Sequence, residues 1–210
     1  MDAIKKFYDV HLLPYVLICA CTNKSAKKQR EIVVPKAEGT VLEIGFGSGL
    51  NIAFYDPIKI KKLWALDPTE KLLNLAKSKI ANSRFPIQTL NCFAEKIPLP
   101  DNSIDTALMT YTMCSITEPL KANKEIKRVL RPNGKLIFCE HGISTNEKDA
   151  RWQKKLNPYW EKIAGGCQLT RNIPKIIESS DFKIIELEHR HLKGTPKFAG
   201  YNYWGEAVPN

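Results

Sequence analysis

The run Val41-Leu42-Glu43-Ile44-Gly45-Phe46-Gly47-Ser48-Gly49-Leu50 decides how the rest of the chain is read. Val41 to Ile44 is a short apolar strand closed by glycines. Leu50 to Tyr55 is expected to be a short helix, stopped by Asp56-Pro57. Glycines between a strand and a helix let the backbone turn sharply and come close to a ligand. The spacing is G-x-G-x-G, and Leu50 stands where a dinucleotide loop of the G-x-G-x-x-G type carries its last glycine. Glu43, two residues before the first glycine, would repel a pyrophosphate but can pair with a ligand's amino group. Both features argue against a nicotinamide oxidoreductase, the reading that a glycine loop first suggests.

Strands and helices alternate downstream. Lys62 to Leu66 is a second strand ending at Asp67-Pro68. Residues 69–81 suit a helix capped by Thr69, with Leu72, Leu73, Ala76 and Ile80 on one face. Pro86 to Asn91 and Ile104 to Thr110 read as further strands. Pro119 starts a helix whose buried stripe is Ala122, Ile126, Val129 and Leu130. After the turn Pro132-Asn133-Gly134, Lys135 to Glu140 is a fifth strand. Phe182 to Glu188 and Tyr203 to Val208 are separated only by a loop, which predicts an antiparallel pair. The expected architecture is α/β: a Rossmann-like, doubly wound, mostly parallel seven-stranded sheet with one antiparallel strand near its edge. Ligands of such sheets lie at the carboxyl ends of the strands. Asp67 ends the second strand, 20 residues after Gly47. It can accept both ribose hydroxyls of an adenosine, or serve only as a turn former before Pro68.

The length suits one sizeable core. Lys and Arg number 32 against 22 Asp and Glu, a net charge of +10. The cations are spread out; only Lys24, Lys27, Lys28 and Arg30 cluster, in a stretch (residues 23–38) that reads as a basic loop. A solvated cationic surface accounts for this, and no specific nucleic-acid partner is expected. None of the six cysteines forms a C-x-x-C pair and no histidines sit at ligand spacing, so no metal site is predicted. The thiols suit a reduced, cytoplasmic protein. Leu12 to Cys21 is apolar but broken by Pro14 and too short to span a bilayer. It is expected to be a packed N-terminal helix, with contact at a membrane surface as the alternative.

The four blocks Glu43–Gly49, Asp67, Ala94–Asp105 (AEKIPLPDNSID) and Val129–Leu136 (VLRPNGKL), in that order, resemble class I S-adenosylmethionine-dependent methyltransferases. The similarity is to the type 11 branch, which includes quinone-biosynthesis and phospholipid enzymes. Tyr8-Asp9, Pro158-x-Trp160 and the segment around Leu169-Thr170-Arg171 are similar to the methyltransferase-like 7 group, whose members act on small thiols. The resemblance implies S-adenosyl-L-methionine as cofactor, S-adenosyl-L-homocysteine as product, and a small-molecule or lipid-like acceptor: a thiol, a quinone precursor or a phospholipid amine. A binding module that kept the cofactor site without the chemistry is the alternative. It implies that Glu43 lies near the methionine amino group, and that Gly45, Phe46, Gly47, Gly49 and Asn51 surround the cofactor. Asp67 and Pro68 would meet the ribose, Ala94 and Glu95 the adenine, and Thr110 the methyl donor. Phe93 replaces the acid that the branch usually places before Ala94, and Lys96 replaces an acid common in thiol-methylating relatives.

Methyl transfer needs a base only when the acceptor arrives protonated. Tyr111 and His141, at the ends of the fourth and fifth strands, are the candidates. His141 has an equally simple reading as a hydrogen-bonded loop histidine, and Cys114 as an apolar helix-start residue. Trp152, Tyr159 and Trp160 either cap the pocket or pack in the core. The organisation expected is a helical N-terminal lid over residues 1–34 and a methyltransferase domain over 35–210, with a helical substrate-side insertion at about 145–172.

Overall fold

In the computed structural model, residues 7–210 are described. Seven strands form a single sheet: β1 (Gly39–Ile44), β2 (Ile60–Leu66), β3 (Ile87–Leu90), β4 (Ile104–Thr110), β5 (Leu130–His141), β6 (Phe182–His191) and β7 (Tyr201–Pro209). Their spatial order is β3-β2-β1-β4-β5-β7-β6. β1 pairs parallel with both β2 and β4, and β7 lies antiparallel between β5 and β6. The order therefore reverses between β1 and β4, and the glycine loop leaves β1 at that switch point, where open α/β sheets bind their ligands.

The period of two along each strand sorts side chains between two cores. Leu42, Ile44, Ala107 and Met109 face α4 (Pro119–Val129) and α6 (Ile173–Glu178). Val41 and Leu108 face the opposite layer, with Val33 of α2 (Lys24–Val33) and Ala76 of α3 (Glu70–Ala81). Glu43 and Thr110 share the parity of Val41 and Leu108, so the same alternation carries them to the α2 side.

Three local readings are corrected. Residues 24–33 form helix α2 rather than a loop, because Asn23 caps it, accepting from the Ser25 and Ala26 amides at 3.0 and 2.9 Å. Its buried stripe is Ala26, Arg30 and Val33, at helical spacing, while the lysines of the basic cluster face solvent. Residues 50–55 do not form an α-helix. Only a 3₁₀ turn, Ile52–Phe54, fits between Gly49 and Asp56-Pro57, closed by Phe54 N–H to Asn51 C=O at 2.9 Å. The turn at Pro132–Gly134 is a bulge inside β5, whose pairing jumps from Ile104↔Leu130 to Thr106↔Lys135.

At the N-terminal end, a π-helical turn (Tyr8–Leu12) runs into α1 (Leu13–Cys21). The break expected near Pro14 is this change of winding. The insertion contains α5 (Glu147–Ile163), capped by Asn146. The Tyr8 hydroxyl donates to the Ile163 carbonyl at 2.7 Å and ties the N-terminal segment to the end of α5. Among the described residues no helix is long and apolar enough to cross a membrane, and the cysteines assigned a state are free thiols.

Candidate active site

The glycine loop folds as it does because Gly45, Gly47 and Gly49 all take positive φ, 72°, 57° and 69°. A Cβ on Gly45 would stand 2.0 Å from Thr112 Oγ1, in the loop after β4. Gly49 has a packing role instead: a Cβ there would meet Ile52 at 2.9 Å and Ala76 of α3 at 3.5 Å.

Around this loop lies a buried polar chain. Glu43 is 1% exposed. Its Oε1 accepts from Asn51 Nδ2 at 2.9 Å and its Oε2 from the Tyr55 hydroxyl at 2.6 Å. Burial pushes the Glu43 carboxyl up to about 7, against the opposing pull of those two hydrogen bonds and the Arg30 guanidinium. Asn51 Nδ2 also donates to Thr110 Oγ1 at 3.0 Å, while its Oδ1 accepts from Arg30 Nε at 2.9 Å. Arg30 donates onward to the Cys21 carbonyl at 2.7 Å and stands 5.3 Å from the centre of the Tyr111 ring. One connected set of contacts thus joins α1, α2, β1 and β4.

Asp67 makes the turn expected of it and one contact beyond that. Its Oδ1 accepts from the Thr69 amide at 2.8 Å, as a turn former would. Its Oδ2 accepts from the Gly47 amide, also at 2.8 Å, and so fixes the glycine loop. The carboxylate also takes a side-chain hydrogen bond from Thr69 and keeps acceptor capacity for a ligand. Burial raises this carboxyl too, and the two amide contacts act in the opposite direction. Thr69 occupies the N-cap of α3 but makes no side-chain cap bond.

These groups line a cavity of about 280 Å³ at the carboxyl ends of β1, β2 and β4. Of the residues expected from the sequence, Glu43, Gly45, Phe46, Gly47, Asn51, Asp67, Pro68, Ala94, Glu95, Thr110 and Tyr111 all line it; Gly49 and His141 do not. Phe46 is 2% exposed and packs mainly into the core. Tyr111 takes φ 57°, an uncommon left-handed conformation for an aromatic residue, just where β4 ends at the cavity. The His141 ring lies beside it, 6.2 Å away and edge-on. Phe93 sits at the rim, 68% exposed.

Sequence reasoning missed Arg30, Tyr55 and the α1 contribution of Ile18 and Cys21. Arg30 had a signal: Ala26, Arg30 and Val33 have the i, i+4, i+7 spacing of one helix face. Tyr55 had none, since its partner Glu43 is reached through a turn. Trp152 and Tyr159 are 60% and 72% exposed and line no wall of the cavity, so neither a cap nor a core position describes them. Trp160 packs edge-on to Phe198 at 5.6 Å and donates to Cys167 Sγ at 3.3 Å.

Comparison with known proteins gives this geometry its family. The methyltransferase domain family matches residues 42–138. The chain is 36% identical to thiol S-methyltransferase TMT1B of Rattus norvegicus over 155 residues, which is 72% of this chain and 63% of the relative. It is 32% identical to thiol S-methyltransferase TMT1B of Homo sapiens over 206 residues, 92% of this chain and 83% of the relative. The chain belongs to the S-adenosylmethionine-dependent methyltransferase family. A solved S-adenosylmethionine-dependent methyltransferase from Aquifex aeolicus has the same fold, with a TM-score of 0.61 at 24% identity over 89% of this chain and 90% of its own. The cavity of this methyltransferase suits the family cofactor on its own evidence. A buried carboxylate stands at the start of the glycine loop, a second stands one strand away, and a Cβ on Gly45 would collide with Thr112 beneath the loop.

Proposed function

We propose that this methyltransferase carries the methyl group of S-adenosylmethionine to the sulfur of a small, largely uncharged thiol. The observation that carries the reading is the asymmetry of the cavity. Its carboxylates, Glu43, Asp67 and Glu95, gather around the glycine loop and the adjoining strand ends, whereas the wall from α1 and the loop after β4 is Ile18, Cys21, Tyr111, Ser115 and Ile116. The one cation in that wall, Arg30, is engaged with Asn51 and Cys21. An uncharged acceptor matches such a surface, and the relatives named above are thiol S-methyltransferases.

The sulfonium of the cofactor supplies the activated methyl group, and the protein's part is to position and desolvate. Glu43, held by Asn51 and Tyr55, would face the cationic amino group, and that positive charge would return its raised carboxyl to the ionised form. Asp67 would take the ribose hydroxyls beside Pro68, and Ala94 and Glu95 would border the adenine. Thr110 holds Asn51, and Tyr111 shapes the approach to the methyl carbon, with His141 backing its ring. The acceptor sulfur would attack as thiolate, its proton lost to water, so the protein's residues need only hold and desolvate the two sulfurs in line. A small free thiol has a pKa of about 8.5, so the rate rises with pH toward that value.

Ile18 and Cys21 of the segment 7–21 line the cavity, and we assign that segment a lid role. The same segment leaves Phe7, Leu12, Tyr15 and Val16 exposed, which suits peripheral contact with a lipid surface. The deciding experiment is an S-adenosylhomocysteine release assay against a small alkyl thiol, a quinone precursor and phosphatidylethanolamine. Turnover with the thiol alone supports the reading; turnover only with either of the others overturns it.

A further inference from the structure

Beside the groups used above, and sharing His141 with them, the fold gathers a second set of reactive side chains. Cys114 lies in the loop after β4, His141 ends β5, and Cys167 follows α5. The ligand atoms of all three lie within 4.8 Å of one another. Cys167 Sγ is 3.3 Å from His141 Nε2. Cys114 and Cys167 are 2% and 5% exposed. No spacing in the sequence announces this group, since it is made by topology. β4 and β5 are neighbours that end at the same edge of the sheet, and the Gln168 amide donates to the Cys114 carbonyl at 2.9 Å, which brings the third segment in.

We propose that Cys114, His141 and Cys167 form a binding site for a thiophilic divalent ion of the zinc class. Two thiolates and an imidazole are the donor set that such ions select over harder metals. In a tetrahedral zinc site the sulfur and nitrogen ligands stand roughly 3.6 Å apart and two sulfurs roughly 3.8 Å apart. The observed 3.3 Å contact is within a small adjustment of that, and the 4.8 Å limit accommodates the rest. The surrounding groups are those that orient ligands in metal sites. The Trp160 indole donates to Cys167 Sγ at 3.3 Å. The buried Glu140 carboxylate accepts from the Thr112 and Cys114 amides at 2.7 and 3.3 Å and fixes the loop that presents Cys114. The Arg171 guanidinium donates to the Met113 carbonyl and sets the other side of that loop. Two thiolates neutralise a divalent ion, and Glu140 and Arg171 offset each other around it.

The site adjoins the acceptor end of the cavity. Ser115, whose hydroxyl is 3.6 Å from Cys114 Sγ, and Tyr111, whose ring lies against His141, both line the cavity wall. Three protein ligands leave a fourth position for water or an added thiol. The proposal does not depend on which acceptor the enzyme methylates.

The test is metal binding by the full chain, purified fully reduced. Metal-free protein is titrated with cobalt(II), reading the sulfur-to-cobalt charge-transfer absorption, and then with zinc against a chromophoric chelator. One ion per chain with a thiolate band is expected. Cys114→Ser and Cys167→Ser should each weaken zinc binding by at least roughly 100-fold, since even outer-shell partners are worth 10- to 100-fold. Cys92→Ser, just after the edge strand β3 and outside the cluster, should change nothing. Substoichiometric uptake by reduced wild-type protein overturns the proposal, as does unchanged affinity in the Cys114→Ser/Cys167→Ser double variant. Should those variants fail to fold, the wild-type cobalt spectrum decides alone: a band without thiolate character also overturns it.

Discussion

The two ends of the cavity are built in different ways. The cofactor end comes from the carboxyl ends of β1, β2 and β4 and the loops after β1, β2 and β3, within residues 43–111, and its polar groups lie on those strand ends or a few residues beyond them. The acceptor end is assembled from α1, α2, the loop after β4 and the residues after α5, pieces separated by more than a hundred positions. The first is a property of local sequence on a parallel sheet. The second exists only once the chain has folded. Changes at the cofactor end should therefore act on cofactor affinity, and changes at the acceptor end on acceptor KM, with Arg30 the contact that couples them.

Gly45→Ala should have the largest effect. A left-handed φ costs an L-residue about 1–2 kcal/mol, and the new Cβ would lie 2.0 Å from Thr112 Oγ1. Calorimetric titration should find S-adenosylmethionine binding weakened more than roughly 100-fold, the strain and the collision acting together. Adding Thr112→Ala should restore part of it. If Gly45→Ala alone binds like wild type, the loop does not cradle the cofactor.

Glu43→Ala comes next. Losing a hydrogen bond to a charged group costs about 1.5–3 kcal/mol, or roughly 10- to 150-fold in affinity. The same residue should give a pH signature. Its folded carboxyl titrates near 7 rather than near its ordinary 4.5. Between those values the cofactor-free folded protein holds a proton that the unfolded chain has released. Its contribution to stability is therefore greatest at low pH and declines as pH rises through that window, by at most about 1.4 kcal/mol per pH unit. Denaturant unfolding of wild type and Glu43→Gln should show a steeper decline in wild type, since the raised Asp67 and Glu140 carboxyls remain in both. Equal slopes would remove Glu43 as its source.

Arg30→Ala probes the coupling itself. It removes the partners of Asn51 Oδ1 and the Cys21 carbonyl, with an expected loss of about 1–3 kcal/mol for the buried groups left unpaired. Both cofactor affinity and acceptor KM should worsen, whereas Ile18→Ala should change acceptor KM alone. A purely additive Arg30→Ala/Ile18→Ala double variant would mean that the two ends are independent.

The same division explains what the sequence revealed. The mostly parallel seven-stranded sheet and the antiparallel β6–β7 pair were legible, and eleven of the thirteen expected site residues line one cavity, because strand alternation and the glycine spacing are local signals. Helix α2 was hidden by its lysines, although Ala26, Arg30 and Val33 carried the period. Tyr55, and the meeting of Cys114, His141 and Cys167, were not legible, since each depends on which loops the folded sheet brings to one edge.

Phe93 gives the smallest effect and the finest test. It stands where the branch usually places an acid for the adenine amino group, and in this chain it is exposed at the rim beside Ala94 and Glu95. A net hydrogen bond at so open a position is worth about 0.5–1.5 kcal/mol. Phe93→Asp should therefore tighten S-adenosylmethionine by about 2- to 10-fold and leave acceptor KM unchanged. A weakened cofactor would mean instead that the Phe93 ring packs on the adenine. In that event the cofactor end, like the acceptor end, would depend on a contact that no family pattern records.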